Sequence, residues 1–179
     1  MILDLETREL VDLTPESTTW LGLFSVEGAF DVSPDGREVA FSACRTEPPH
    51  EKLVFGIYRV PVPEAGSDAD LPAPELIHPD HEGPAMRARY SPDGRFLVYG
   101  IQHGLGFYAD RVRLVAYDRA SSTHQTLTEN WDSSAQGWTF GEDAGTLFLT
   151  AEVGARNAIF SLDLDAAIAD PAANPPRQL

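Results

Sequence analysis

The sequence has one cysteine, few basic residues and no long apolar run, and each shortage excludes a class of protein. Cys44 alone cannot close an internal disulfide, so the chain is not a disulfide-stapled scaffold. No segment reaches the roughly 18 apolar residues that a membrane-spanning helix needs. Only 13 basic residues stand against 28 acidic ones, and the formal net charge of −15 opposes binding to nucleic acid or to an anionic membrane.

The compact motifs of common enzymes are also absent from the sequence. It has no Gly-x-Ser-x-Gly nucleophile elbow, no Gly-x-x-x-x-Gly-Lys phosphate loop, no His-Glu-x-x-His and no Cys-x-x-Cys. The nearest approach to a metal cluster is His-Pro-Asp-His-Glu at 78–82, where Pro79 and Gly83 favour a polar turn over a set of ligands. We therefore expect no catalytic residue, no cofactor and no metal in this chain.

The first residues carry acids where a secretory leader carries basic residues followed by an apolar stretch. This start argues against a signal peptide and favours a cytoplasmic location. A secreted parent protein, whose leader is missing from this sequence, is the alternative.

What the sequence does contain is a repeated turn. Residues 31–41 and 89–99 both place Ser-Pro-Asp-Gly before an alternating apolar strand, and 139–149 keeps the acidic turn, the glycine and the strand. Proline presets the second turn position, aspartate bonds the local backbone, and glycine releases the chain into a strand. The copies recur at intervals somewhat longer than the roughly 40 to 50 residues of a β-propeller blade, so insertions must account for the excess.

We therefore predict an all-β fold, a partial β-propeller of about three to four blades of four antiparallel strands, incomplete at both ends. A compact sandwich of the same strands is the less favoured alternative. The predicted limits are 1–14 for the outer strands of one blade, 20–78 for the second blade, 84–128 for the third and 135–179 for a truncated fourth. Within them we expect a strand at 20–24 and a short helical turn at 166–169. Because a propeller closes as a ring of about four to eight blades, we expect the chain to be a fragment of a larger protein.

Two loops carry the charged residues that we single out as candidate substrate-side contacts. Asp110 and Arg111 follow a glycine-rich stretch in the third predicted blade, and Glu152 and Arg156 flank a turn in the fourth. Loops in this topological position line one face of a propeller. For Asp110 and Arg111 the favoured interpretation is structural, in which they pair with each other or bond the backbone of the next strand.

A family resemblance is carried by five segments, 26–36, 90–94, 108–111, 130–134 and 150–160. Their most particular features are the Trp-Asp step in the fourth segment and the Thr-Ala-Glu followed by Gly-x-Arg-Asn in the fifth. Together they resemble the propeller domain of the prolyl oligopeptidase class of serine peptidases, in its dipeptidyl peptidase 5 and acylaminoacyl peptidase branch. The Ser-Pro-Asp-Gly turn alone is less specific, since TolB-type propellers share it.

The resemblance implies a two-domain enzyme in which the propeller caps an α/β-hydrolase domain and admits short peptides. The hydrolase domain, absent from this sequence, would supply the catalytic Ser, His and Asp. The leading hypothesis is that the chain is the substrate-gating part of a serine peptidase that removes dipeptides or acylated residues from peptide N-termini. Its partners would be that hydrolase domain and a peptide substrate. The alternatives are a non-enzymatic TolB-like propeller that binds a protein and a degenerate gene fragment without function.

Overall fold

The computed structural model describes residues 1–15, 29–46, 53–64, 71–104, 106–107 and 109–179. These residues form short strands and one short helix. In chain order the elements are β1 (Ile2–Leu3), β2 (Leu10–Val11), β3 (Phe30–Val32), β4 (Glu38–Cys44), β5 (Phe55–Pro61), β6 (Glu75–Leu76), β7 (Ala85–Tyr90), β8 (Phe96–Ile101), β9 (Arg113–Asp118), β10 (Thr123–Thr126), β11 (Gly137–Phe140), β12 (Thr146–Val153), β13 (Arg156–Asp163), α1 (Leu164–Ala169) and β14 (Arg177–Gln178).

The strands form four antiparallel sheets, which we number in chain order. The first sheet holds β1 and β2, the second β3 to β6, the third β7 to β10 and the fourth β11 to β14, with neighbours in sequence also neighbours in space. The predicted all-β partial propeller of antiparallel four-stranded units is thus confirmed. The residue limits given above for the blades stay predictions, and the strand predicted at 20–24 lies outside the described residues.

The two Ser-Pro-Asp-Gly turns make the same hydrogen bonds. In each, the serine hydroxyl donates to the aspartate, at 2.7 Å from Ser33 to Asp35 and at 2.6 Å from Ser91 to Asp93. The same hydroxyl oxygen accepts a backbone N–H from the start of the next strand, at 2.9 and 2.8 Å. The glycine of each turn has φ near +72° or +71°, a conformation that costs glycine little. These contacts close the β3–β4 and β7–β8 hairpins.

The third sheet lies between the second and the fourth, and β8 is buried along its whole length. Alternate residues of its central strands face opposite neighbours. Those packed towards the second sheet are Leu97, Tyr99, Ile101, Val115 and Tyr117. Those packed towards the fourth sheet are Phe96, Val98, Leu114 and Ala116. The other face of the second sheet packs on the first, through Phe41, Val60 and Leu13.

The connection between the second and third sheets, residues 77–84, is tied to both. The Arg45 guanidinium donates to the carbonyl of Pro79 at 2.9 Å and also to the carbonyl of His81. On the other side, the Gln102 N–H donates to the carbonyl of Pro84 at 3.0 Å. Gly83 passes so near the end of β8 that a Cβ there would overlap the carbonyl group of Gln102. The connection therefore crosses between the sheets in backbone contact with the third.

The helix α1 fills the connection between β13 and β14. Its N-cap is Asp163, whose carboxylate accepts the Ala166 N–H at 3.0 Å, as such caps do. The sequence predicted a helical turn at 166–169 in this connector, and the helix begins one half-turn earlier because the cap lies at the end of β13. No helix among the described residues is long and apolar enough to cross a membrane.

Candidate functional site

The loop between β8 and β9 is organised by the carboxylate of Asp110. One oxygen accepts the N–H groups of His103 and Gly104 at 2.6 and 2.9 Å, and the other accepts the Arg113 guanidinium at 3.0 Å. The Gly104 hydrogen bond, with help from Arg113 and His103, holds the pKa of Asp110 well below its usual range. A charged carboxylate thus closes the loop on itself.

Arg113 continues these contacts into the next connection. Its side chain is only 10% exposed, and its Nε donates to Glu129 at 3.2 Å. The other Glu129 oxygen lies 3.2 Å from Nε2 of His103. A nearly buried guanidinium is stable here because two carboxylates pair it. The group Asp110, Arg113, Glu129 and His103 therefore joins the β8–β9 loop to the segment that follows β10.

Arg111 makes a different set of bonds from those of its neighbour. Its guanidinium donates to the backbone carbonyl of Glu129 at 3.1 Å and to that of Trp131. Trp131 in turn packs edge-on against Phe160 of the fourth sheet, with ring centroids 5.1 Å apart. The structure thus pairs Asp110 with Arg113, and it directs Arg111 to the backbone of the connection to the fourth sheet. Substrate contact by Asp110 and Arg111 stays a prediction.

Glu152 and Arg156 flank the tight turn between β12 and β13. Both central residues of that turn, Gly154 and Ala155, have positive φ, near +57° and +58°, which is the geometry of a type I′ hairpin. Both charged side chains are exposed, and neither has a hydrogen-bond or ion-pair partner within the described parts of the chain. The structure therefore leaves the two groups available to a ligand.

A shallow groove of about 400 Å³ lies beside Arg156. Its walls come from the end of β12, from β13, from β14 and from the residue after it, and they combine apolar side chains with the arginine. The lining includes Val153, Arg156, Asn157, Ile159 and Leu179. The groove is open to solvent, so it suits an extended segment better than an enclosed small molecule.

Arg87 is a candidate that the sequence reading missed. It lies at a β-bulge in β7, where the pairing with β8 shifts between Met86 and Arg89, and its φ is +54°. Bulges re-aim side chains, and a left-handed φ is uncommon away from glycine. The guanidinium carbon lies 5.7 Å from the centre of the Trp138 ring and has no hydrogen-bond partner in the described residues. Nothing in the sequence marks the bulge, because a register shift depends on the partner strand.

These loops and strand ends lie at one end of the sheets. In an antiparallel meander, the loop between the second and third strands and the connection to the next sheet share an end. The contacts of Arg111 and Arg113 with the segment after β10 show this directly. Arg87 lies in the first half of β7, beside Gly137 at the start of β11, and Glu152 lies near the end of β12. We call this end of the sheets the loop face.

The segment 78–82 holds two of the histidines that the sequence offers as metal ligands. Within the described residues, no three or more His, Cys, Asp and Glu side chains are positioned to share a metal ion. The Nδ1 atom of His78 lies 2.7 Å from the Tyr99 hydroxyl, in a contact within the protein. The two histidines of this segment instead belong to a stack described below.

Comparisons with known proteins find relatives that share one name, dipeptidyl-peptidase 5. No protein-family model matches the chain. Dipeptidyl-peptidase 5 of Arthroderma otae is 32% identical over 149 residues, which cover 80% of this chain and 20% of that protein. Dipeptidyl-peptidase 5 of Trichophyton equinum is 31% identical over 152 residues. The chain therefore spans about a fifth of the length of the curated relatives it matches.

Solved structures show the same fold at low sequence identity. The crystal structure of TolB from Acinetobacter baumannii matches 99% of this chain and 36% of its own, with a TM-score of 0.60 and 18% identity. The AtxE2 isopeptidase matches 85% of this chain and 28% of its own, with a TM-score of 0.52 and 19% identity. At such identities these likenesses establish the propeller fold and nothing more.

Proposed function

The chain is a β-propeller segment related to the dipeptidyl-peptidase 5 proteins, and from that premise we propose that it is the substrate-gating part of a serine peptidase. That enzyme removes dipeptides or acylated residues from peptide N-termini. The chain is not catalytic by itself in this proposal. An α/β-hydrolase domain of the same parent protein supplies the Ser nucleophile, the His base and the Asp that orients it.

The observation that carries the proposal is the match to dipeptidyl-peptidase 5 across most of the chain. The sequence adds support, because it lacks the nucleophile elbow that a catalytic hydrolase domain would carry and therefore suits a non-catalytic part. The fold adds a second support, because its loops meet at one face, as a wall above an active site requires. In this proposal the loop face is turned towards the hydrolase domain.

Three charged groups of the loop face suit a peptide ligand. Glu152 offers a carboxylate to an N-terminal ammonium group. Arg87 and Arg156 offer N–H donors to peptide carbonyl oxygens or to a carboxylate. None of the three has an ion-pair partner among the described residues, although the chain carries a net charge of −15. We propose these three as the substrate-side contacts, ahead of Asp110 and Arg111, whose charged atoms are bonded within the protein.

The test uses the full-length protein whose reading frame contains this chain. The frame should include a Gly-x-Ser-x-Gly segment followed by Asp and His, and the protein should hydrolyse a dipeptidyl chromogenic substrate until a serine-directed inhibitor is added. A frame that lacks such a segment, or a protein without this hydrolysis, would contradict the proposal.

Variants of the same protein test the substrate-side contacts. Glu152→Gln and Arg87→Gln should each raise KM about tenfold and change kcat little, because a charge-assisted hydrogen bond of roughly 1.5–3 kcal/mol is lost in substrate binding. Arg37→Gln is the matched control, because Arg37 is an exposed arginine in the turn at the opposite end of the sheets. An equal effect in the control would remove these residues from the proposal without affecting the peptidase assignment.

The second candidate is a non-enzymatic TolB-like propeller that binds a protein partner. The observation that favours it is the likeness to TolB across nearly the whole chain. It predicts that the full-length protein binds a protein partner and has no peptidase activity. Inhibitor-sensitive hydrolysis by that protein would exclude it.

A further inference from the structure

Four histidines form a row between the second and third sheets, and the row begins at the loop face with His103. The ring centroids of His103 and His81 are 6.1 Å apart, those of His81 and His78 are 5.2 Å apart, and those of His78 and His124 are 4.0 Å apart. The rings of the last pair are almost parallel, at 6°. His78 and His81 belong to the 77–84 connection, His103 to the β8–β9 loop and His124 to β10. We call these four residues the histidine row.

Hydrogen bonds determine where the protons of the closest pair lie. His124 Nε2 is 3.0 Å from the carbonyl oxygen of Ile77, which can only accept, so Nε2 carries the hydrogen. Nδ1 of the neutral His124 ring then accepts the Tyr99 hydroxyl at 2.9 Å. That hydroxyl has one hydrogen, so it accepts from Nδ1 of His78 at 2.7 Å. The bonds run in one direction, from His78 through Tyr99 and His124 to the backbone of the connection.

This arrangement requires the His124 ring to be neutral, and it disfavours a positive charge on both stacked rings. A proton added to Nδ1 of His124 would leave the Tyr99 hydroxyl between two N–H donors, with no acceptor for its own hydrogen. A second charge on the stacked His78 ring would lie about 4 Å from the first, where like charges repel. Acid therefore removes a hydrogen bond and adds repulsion at the same place.

The surroundings also favour the neutral rings. Burial, followed by the neighbouring His124 and His81, lowers the pKa of His78 to about 4. Burial likewise lowers the pKa of His81, with a contribution from His103, and that of His124. The three pKa values are lowered because burial disfavours the charged form of a base.

The charged and titratable groups that face the row come from six elements. Arg45, from the loop after β4, opposes a positive charge, and Asp80, in the connection itself, favours one on His78. Tyr117 of β9 packs against His124 at 4.8 Å, and Arg59 of β5 lies over the Tyr117 ring. Burial raises the pKa of Tyr99, so its hydroxyl stays protonated. A second carboxylate is that of Glu129, which His103 and Arg113 share.

We propose that the histidine row is an acid-sensitive latch, in which protonation of the stacked His78 and His124 releases the 77–84 connection from β10 and loosens the seam between the second and third sheets. Folded and released states bind protons equally above about pH 6.5. Between pH 6.5 and about 4 the released state takes up protons that the closed row refuses, so the closed row loses stability as the pH falls. The latch does not depend on the proposed peptidase role.

Hydrogen exchange on the 179-residue chain measures the opening directly. Amide exchange is measured at pH 7.5 and at pH 5 and corrected for the intrinsic pH dependence of exchange. Residues 77–84 and 123–127 are the two test segments, and the β12–β13 hairpin is the reference. We expect acid to accelerate exchange in the first two segments at least tenfold more than in the reference. Equal acceleration in all three segments would overturn the proposal, because it would indicate general acid unfolding.

His78→Phe supplies the matched variant, since it keeps an aromatic ring in the stack and removes the ionisable group. It should abolish the acid-specific exchange, whereas His103→Gln, at the exposed end of the row, should leave it in place. If His78→Phe fails to fold, histidine ¹⁵N spectra of the unaltered chain decide the question. They should show hydrogen on Nδ1 of His78 and on Nε2 of His124 at pH 7.5, with both rings titrating below 6.5. Ordinary titration near 6.5, or the opposite tautomers, would overturn the latch.

Discussion

The third and fourth sheets have the same strand order but are covered differently. In the third sheet, β8 is buried at every residue because neighbours cover both faces. In the fourth sheet, β12 alternates, with Leu149 1% exposed and Phe148 36% exposed. Ile159 on β13 is more exposed than Phe148, at 56%. In the third sheet, alternate side chains thus face two different neighbouring sheets. In the fourth sheet, one set faces the third sheet and the other set faces solvent.

This difference shows what the alternation of side chains along a strand does in a propeller. In an ordinary half-buried sheet, the alternation divides apolar from polar residues. In the third sheet both sets are apolar, and what alternates is the identity of the neighbouring sheet. Stability is therefore expected to reside in the contacts between sheets, and the largest losses should follow from substitutions at those contacts.

The two faces of β12 provide the largest expected contrast. Leu149→Ala should lower the free energy of unfolding by about 3 kcal/mol, because truncating a buried leucine removes apolar burial and leaves a cavity. Phe148→Ala, one residue earlier and on the other face, should cost about 1 kcal/mol or less. Urea unfolding followed by fluorescence measures both. Similar losses would mean that the Phe148 face is covered in solution and that the contrast between the sheets does not hold.

The turns that open the two sheets should differ by a smaller amount. Ser91 is fully buried, and Ser91→Ala should cost about 2 kcal/mol because the N–H of Phe96 would lose its buried acceptor. In the fourth sheet the corresponding turn relies on Asp143, which accepts the Thr146 N–H at 2.7 Å in an exposed setting. Asp143→Ala should therefore cost about 0.5–1 kcal/mol. Thermal melts rank the two variants, and the reverse order would contradict the role assigned to the buried hydroxyl.

The loops on the loop face should differ least in stability but most in pH response. Asp110→Asn should cost about 1 kcal/mol at pH 7, because it weakens the charge-assisted bonds of the β8–β9 loop. The native carboxylate has a lowered pKa, so its contribution is present above the ordinary value of 3.8 and is lost as the pH falls below it. The difference from the unaltered chain should thus shrink between pH 7 and pH 3.

Ala155→Gly in the β12–β13 turn is the control for that pH series. It should stabilise the chain by about 0.5 kcal/mol, because glycine adopts the positive φ of +58° without strain, and the gain should not depend on pH. Denaturant midpoints at both pH values measure the two variants. A pH-independent loss for Asp110→Asn would show that the carboxylate acts only by its shape.

Much of the fold could be predicted because its signals are local. Each Ser-Pro-Asp-Gly turn specifies a hairpin from four adjacent residues, and the alternating runs after them became β4 and β8. The depth of burial of β8 could not be predicted, because its two apolar sets read as one strand until the neighbouring sheets are known. The segment 20–24, predicted as a strand, lies outside the described residues and stays a prediction.

Less of the site could be predicted because its contacts are distant in sequence. Asp110 and Arg111 were expected to pair with each other or to bond the next strand, whereas Asp110 pairs with Arg113 and Arg111 donates to the backbone of the connection about 20 positions further on. The bulge that directs Arg87 depends on the register with β8. His78 and His124 stack although 46 positions separate them, and a reading of 78–82 as an isolated polar turn could not include the second ring.

Gly83 limits how this chain can change over time. A Cβ at Gly83 would overlap the carbonyl group of Gln102. A methyl group there would therefore displace the 77–84 connection from the third sheet, together with the side chains of His78 and His81. Surface positions around it can accept new side chains one at a time, but this position admits only a hydrogen atom. A single-base substitution at the Gly83 codon should therefore disrupt the contact between the second and third sheets more than the loss of any one charged side chain on the loop face.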